Sequence, residues 1–124
     1  MKVLIDTNFF LLPNQFGIDI FEYLKYFDSV TLSSCVEELK KLAKKGGKDG
    51  KAAKIGLKLL KENSVDVLKD KPKGKSSSTD KAILDYAIAE KCMVATNDAV
   101  LIKALKSHGL KVIRLKQRKY LEEE

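Results

Sequence analysis

The chain has 124 residues, 44% of them hydrophobic, with 24 basic and 17 acidic side chains and a net charge of +7. Such a length predicts one domain, 1–124, able to bury a core without staples; the composition excludes a disordered chain, and no apolar run approaches the roughly 18 residues of a membrane span. The N-terminus lacks a basic-then-apolar leader, which predicts a cytoplasmic protein with no membrane partner.

Val3, Leu4 and Ile5 form an unbroken apolar run, the pattern of a strand buried on both faces of a parallel sheet. It stops at Asp6, and Thr7 or Asn8 can cap a short helix that Pro13 is expected to end. Ile20, Phe21, Leu24 and Phe27 fall at helical spacing within Ile18 to Phe27. Val30 to Leu32 reads as a second strand. Ser34-x-x-Glu37 fits a capping box opening a helix through Val36, Leu39 and Leu42. Lys44 to Lys51 is lysine-rich and punctuated by glycine; it carries no Walker A pattern and is predicted to be a mobile loop. A helix with Ile55, Leu57, Leu59 and Leu60 follows, then a strand at Val65 to Leu68.

Lys69 to Ser78 is polar and reads as a flexible connection. Thr79 to Lys91 is an apolar helix, Met93 to Ala95 a strand, Ala99 to Lys106 a helix stopped by Gly109, and Lys111 to Leu115 a strand. A charged tail, 116–124, ends the chain. Alternating strands and helices predict an α/β fold, a central parallel sheet of four to five strands with helices on both faces. Cys35 and Cys92 sit in apolar contexts and read as buried thiols, and His108 as a surface residue near a helix end.

The charge is unevenly placed. Lysine supplies nearly all of it, Arg114 and Arg118 being the only arginines, and 13 of the 24 basic residues fall between Lys40 and Lys75. Lysines make point-charge contacts suited to a phosphate backbone, so a polyanion partner is expected there, with Lys44, Lys45, Lys48 and Lys51 as contacts. A solubilising lysine surface is the competing explanation.

Four carboxylates stand at element ends. Asp6 and Asp98 can each simply cap the helix that follows, and Asp80 can answer the dipole of its own helix. Glu37 and Glu38 separate: Glu37 faces Lys40 and Lys41 on a solvated side, whereas Glu38, between Cys35 and Leu42 in helical spacing, lies at the border of the buried face. A carboxylate there is costly without a partner. If Asp6, Glu38, Asp80 and Asp98 converge, each pair at about 5 Å repels by about 3 kcal/mol at an effective dielectric near 20. Protons or divalent cations must then neutralise them. An all-oxygen ligand set without His or Cys favours Mg²⁺ or Mn²⁺.

Four stretches, Val3-Leu-Ile-Asp-Thr-Asn8, Ser34-Cys-Val-Glu-Glu-Leu39, Thr79-Asp-Lys-Ala-Ile-Leu84 and Ala95-Thr-Asn-Asp-Ala-Val-Leu101, resemble the PIN-domain nucleases in content and order. The resemblance spans the whole domain and implies the three-layer PIN-like fold and ribonuclease activity directed at single-stranded RNA. By motif it implies Asp6, Glu38, Asp80 and Asp98 as catalytic acids and ligands of Mg²⁺ or Mn²⁺, with Asn8, Thr96 and Asn97 in support. Within the family the chain resembles compact archaeal members related to ribosomal RNA processing nucleases, and also the toxin ribonucleases of toxin–antitoxin pairs. The expected partners are therefore RNA, a second copy in a homodimer, and an antitoxin or a ribosome-assembly protein. A catalytically silent RNA-binding or assembly module is the rival reading. A receiver-like phosphoacceptor domain fits less well, because Asp6 stands alone after the first strand.

Overall fold

A computed structural model describes residues 1–70 and 79–124. Six strands form one sheet in the order β3-β2-β1-β4-β5-β6: β1 (Lys2–Ile5), β2 (Asp28–Leu32), β3 (Asp66–Leu68), β4 (Met93–Ala95), β5 (Val112–Lys116) and β6 (Tyr120–Glu123). The first five are mutually parallel, and β6 runs antiparallel to β5. On either side lie α1 (Leu12–Phe16), α2 (Ile20–Leu24), α3 (Ser33–Lys45), α4 (Gly47–Glu62), α5 (Thr79–Glu90) and α6 (Ala99–Ser107).

The central strand explains the layering. Side chains alternate across a strand, so Val3 and Ile5 enter one core with Phe9, Phe10, Ile20, Leu39 and Ala53. Leu4 enters the other core with Ile83, Ala87, Leu101 and Leu105. All three are fully buried. Thus α1 to α4 cover one face and α5 and α6 the other, a three-layer α/β arrangement.

Topology then places the site. From β1 the chain winds outward to β2 and β3, and β4 returns to pair with the opposite side of β1 before winding on to β5. The carboxyl ends of β1 and β4 flank the point where winding reverses, where a crevice opens in sheets of this kind. Asp6 follows β1 and Thr96 to Asp98 follow β4, so both lie at that crevice.

Several local expectations change. The sheet has six strands rather than four to five, because part of the charged tail, 116–124, pairs as β6. The turn before β6 places Gln117 and Arg118 at positive φ. Lys106, Arg114 and Lys116 surround Glu124, and Lys116 also meets Glu122. The run expected as a charged tail is in part a strand whose charges answer those of its neighbours. Pro13 opens α1 instead of ending a helix: Thr7–Leu11 forms a 3-10 turn, and proline suits a first helical turn, where its missing N–H goes unneeded.

The lysine-rich segment 44–51 is helical, not a mobile loop. Gly46 breaks it, at φ 78° and ψ −162°, between α3 and α4. Gly47 follows it at φ 71° with open space around it, whereas Gly50 and, further along α4, Gly56 serve packing. A Cβ on Gly56 would stand 2.5 Å from the Phe10 carbonyl oxygen, so only glycine lets α4 lie this close to the 3-10 turn. The capping box at Ser34 and Glu37 does not form, since Leu32 occupies the N-cap. The expected flexible connection 69–78 falls largely outside the described residues, with Lys71, Lys73 and Lys75 among them. Both cysteines are free and buried, and His108 caps the end of α6.

Candidate active site

Asp6 leaves the end of β1 in extended conformation and starts the 3-10 turn. Its backbone N–H donates to the Ala95 carbonyl at 3.0 Å, which fastens it to β4. One carboxylate oxygen, Oδ1, accepts from the Thr7 N–H at 2.7 Å, and Oδ2 accepts from the Thr96 hydroxyl at 2.8 Å. The residue is 5% exposed. Burial pushes its carboxyl up to about 6; the Thr96 and Thr7 bonds oppose the shift, and the Asp80 and Glu38 carboxylates add to it.

Thr96 joins two of the acids. While its hydroxyl donates to Asp6, its Oγ1 accepts from the Asp98 N–H at 3.1 Å. Asp98 in turn caps α6, its Oδ1 accepting from the Leu101 N–H at 3.0 Å. The capping explanation for Asp98 is therefore correct, and it leaves Oδ2 free of any cap.

Glu38 comes from α3 and is half-buried, whereas Glu37 is exposed and pairs with Lys40. Asp80 stands in the first turn of α5. Burial raises its carboxyl above the ordinary value, and the Asp98 and Glu38 carboxylates push the same way. Asp80 as a whole is exposed, so burial there is shallow and the two neighbouring charges are the more telling cause.

Asp6, Glu38, Asp80 and Asp98 line one open cleft together with Thr7, Asn8 and Thr79. Asn97 does not line it. Its side-chain oxygen accepts from the Leu115 N–H at 2.8 Å, tying the end of β4 to β5. Sequence reasoning missed Thr7 as more than a cap. Thr7 is 2% exposed; its hydroxyl makes no well-formed hydrogen bond, but it lies close enough to the Cys35 thiol to favour the thiolate against burial.

The donor chemistry suits a hard cation: four carboxylates line one cleft, and two of them, Asp6 and Asp80, have pKa values raised first by burial and further by the neighbouring carboxylates. Among the described residues no three Asp, Glu, His or Cys side chains could hold a metal ion as they stand. The acids surround the cleft without closing on one point. Mg²⁺ takes only one or two carboxylates and keeps several waters, so a set spread in this way still fits it.

Lys44 and Lys45 end α3, and Lys48 and Lys51 begin α4. All four are exposed, and among the described residues none is in an ion pair. At a rise of 1.5 Å per residue, Lys44 and Lys45 stand roughly 10 Å along α3 from Glu38. Lys41 lies between and shares a second pocket with Glu38.

Comparison with known proteins agrees with this architecture. A profile described as PIN like domain matches residues 3–118. Ribonuclease VapC4 of Methanocaldococcus jannaschii is 33% identical over 132 aligned positions, covering 98% of this chain and 95% of that protein. The solved structure of the PIN domain endonuclease Utp24 superposes with a TM-score of 0.78 at 27% identity, covering 99% of this chain and 90% of that one. A domain of a functionally unknown protein from Methanocaldococcus jannaschii shares the fold, at a TM-score of 0.64 and 18% identity over 93% of this chain and 91% of that one.

Proposed function

The chain belongs to the PIN like domain family, and from that premise we propose that it is a metal-dependent endoribonuclease hydrolysing phosphodiester bonds of single-stranded or structured RNA. The observation that carries the proposal is the gathering of Asp6, Glu38, Asp80 and Asp98 at one cleft from four separate elements. A silent RNA-binding module has no use for mutually repelling acids at the crevice of its sheet. Similarity to a protein named as a ribonuclease and to one named as an endonuclease supports the same reading.

In this reading the four acids hold Mg²⁺ or Mn²⁺, and a bound ion would activate water and stabilise the leaving oxygen. The protein's own residues do the rest. Thr7 and Thr96 fix both oxygens of Asp6, so its orientation is set before any ligand arrives. Thr96 carries that order on to Asp98 through a single hydroxyl. The lysines of α3 and α4 supply phosphate contacts beside the cleft. Asn8, exposed at the cleft, would be available to hydrogen-bond substrate there. Two biological settings follow from the family reading, an RNA-processing nuclease and a toxin with an antitoxin, and a homodimer is proposed in either.

The test is cleavage of end-labelled single-stranded RNA with Mn²⁺, repeated with EDTA. Asp80→Asn and Asp98→Asn should each lower the rate by at least about 100-fold while the protein stays folded, as expected for loss of a group acting in the transition state. Full activity in both variants, or cleavage indifferent to EDTA, would remove the mechanism.

A further inference from the structure

Asp70, just past β3, has no part in the acidic cleft, yet among the described residues its carboxylate accepts three hydrogen bonds. Its Oδ1 accepts from the Ser33 hydroxyl at 2.8 Å and from the Ser34 N–H at 2.9 Å. Its Oδ2 accepts from the Ser34 hydroxyl at 2.6 Å, and its own backbone N–H donates to Ser33 Oγ at 3.2 Å. These bonds hold its carboxyl below the ordinary value, against a contrary effect of burial. Its partners are the first two residues of α3, a helix with no side-chain cap of its own.

The consequence runs along α3. Glu38 lies a little over one turn beyond Ser34 on that helix, and a helix is stiff over that distance. Ser33, Ser34, Asp70 and Thr79 line a pocket that adjoins the acidic cleft and shares Glu38 with it. Glu38 has no ion pair or side-chain hydrogen bond of its own among the described residues. Its place in the cleft is therefore set by α3, whose Cys35 and Leu39 are buried in the core and whose first turn is held to the end of β3 by Asp70.

We infer that Asp70 is a positioning residue for the proposed nuclease: by clamping Ser33 and Ser34 at the start of α3, it sets the height at which Glu38 enters the acidic cleft. The inference rests on the nuclease reading for its purpose, and its geometry stands independently of it. Asp70 touches neither substrate nor ion; its effect passes through Glu38.

A double-mutant cycle tests this, read by calorimetric titration of Mn²⁺ into the 124-residue protein. Asp70→Ala should weaken Mn²⁺ binding by about tenfold, the usual scale for a residue that orients a ligand. In a Glu38→Gln background the same substitution should change Mn²⁺ binding by less than about twofold, because residues acting through one another are not additive. Asp70→Asn keeps an oxygen for the Ser34 N–H and should fall between wild type and Asp70→Ala. It also carries the cycle if Asp70→Ala does not fold. Leu24→Ala, which opens a cavity under α2 at a residue that lines neither pocket, serves as the stability control and should leave Mn²⁺ affinity unchanged. Equal losses with and without Glu38, or the same loss in Leu24→Ala, would overturn the inference. A wild-type protein that binds Mn²⁺ but cleaves no RNA would instead refute the nuclease reading, and the cycle would still decide the role of Asp70.

Discussion

At the scale of single residues, Asp6 shows how a site can oppose the stability of its own fold. A carboxyl near 6 in the folded protein, against an ordinary value of 3.8, binds its proton more tightly when folded. Its ionised form therefore destabilises the fold at neutral pH. That penalty shrinks as pH falls through 6 and is gone below about 4, where folded and unfolded chains are both protonated. Asp6→Asn should accordingly raise stability in metal-free urea unfolding at pH 7.5 by up to about 3 kcal/mol, from two pKa units at 1.36 kcal/mol each, and by little at pH 4. The amide can keep both hydrogen bonds, accepting from Thr7 and donating to Thr96. A variant less stable than wild type at pH 7.5 would mean that Asp6 is not under strain. The four acids were legible in the sequence because each stands where an apolar run ends or a helix begins. Asp70 was not, because its partners Ser33 and Ser34 lie 37 and 36 positions away and read locally as a helix start of their own. Asn97 was misread for the opposite reason: its neighbours in sequence are site residues, but its side chain turns to β5.

At the scale of elements, the α3–α4 pair does two jobs. Its inner faces bury Cys35, Leu39, Ala52, Ala53 and Leu60, and its outer turn carries Lys44, Lys45, Lys48 and Lys51. A helical setting gives these lysines fixed spacing that a loop would not. Charge reversal of all four should weaken binding of single-stranded RNA and flatten its salt dependence, by roughly 0.7 in the log–log slope for each lysine that meets a phosphate. Filter binding between 50 and 200 mM salt reads this directly, and an unchanged slope would mark the lysines as solubilising only. The segment was misread as a loop because glycine was taken as punctuation. Gly46 and Gly47 act that way, both at positive φ, while Gly50 and Gly56 are buried or closely approached where a side chain would collide. Contact across helices, invisible in local sequence, decided between these uses of one residue type. The strands were easier: β4 falls where its apolar run predicts, and β1 reads as buried on both faces because it is.

At the scale of the whole molecule, the sheet order turns separate sequence positions into one place. β1 and β4 are neighbours although 87 residues separate the end of one from the start of the other, and the chain winds away from them in opposite directions. Asp6 and Asp98 meet for that reason alone, and α3 and α5 bring Glu38 and Asp80 to the same crevice from opposite faces. The order of alternating strands and helices made the class of fold legible, and β6 escaped because paired charges on an edge strand read only as a charged tail. The account comes down to whether a hard cation draws these four carboxylates together. Crystals of the wild-type protein grown with Mn²⁺ and measured at the manganese absorption edge would settle it. The account predicts an anomalous peak in the cleft within bonding distance of Asp6 and at least one of Glu38, Asp80 and Asp98; a cleft without such a peak, with Glu38 and Asp80 turned to solvent, would contradict it.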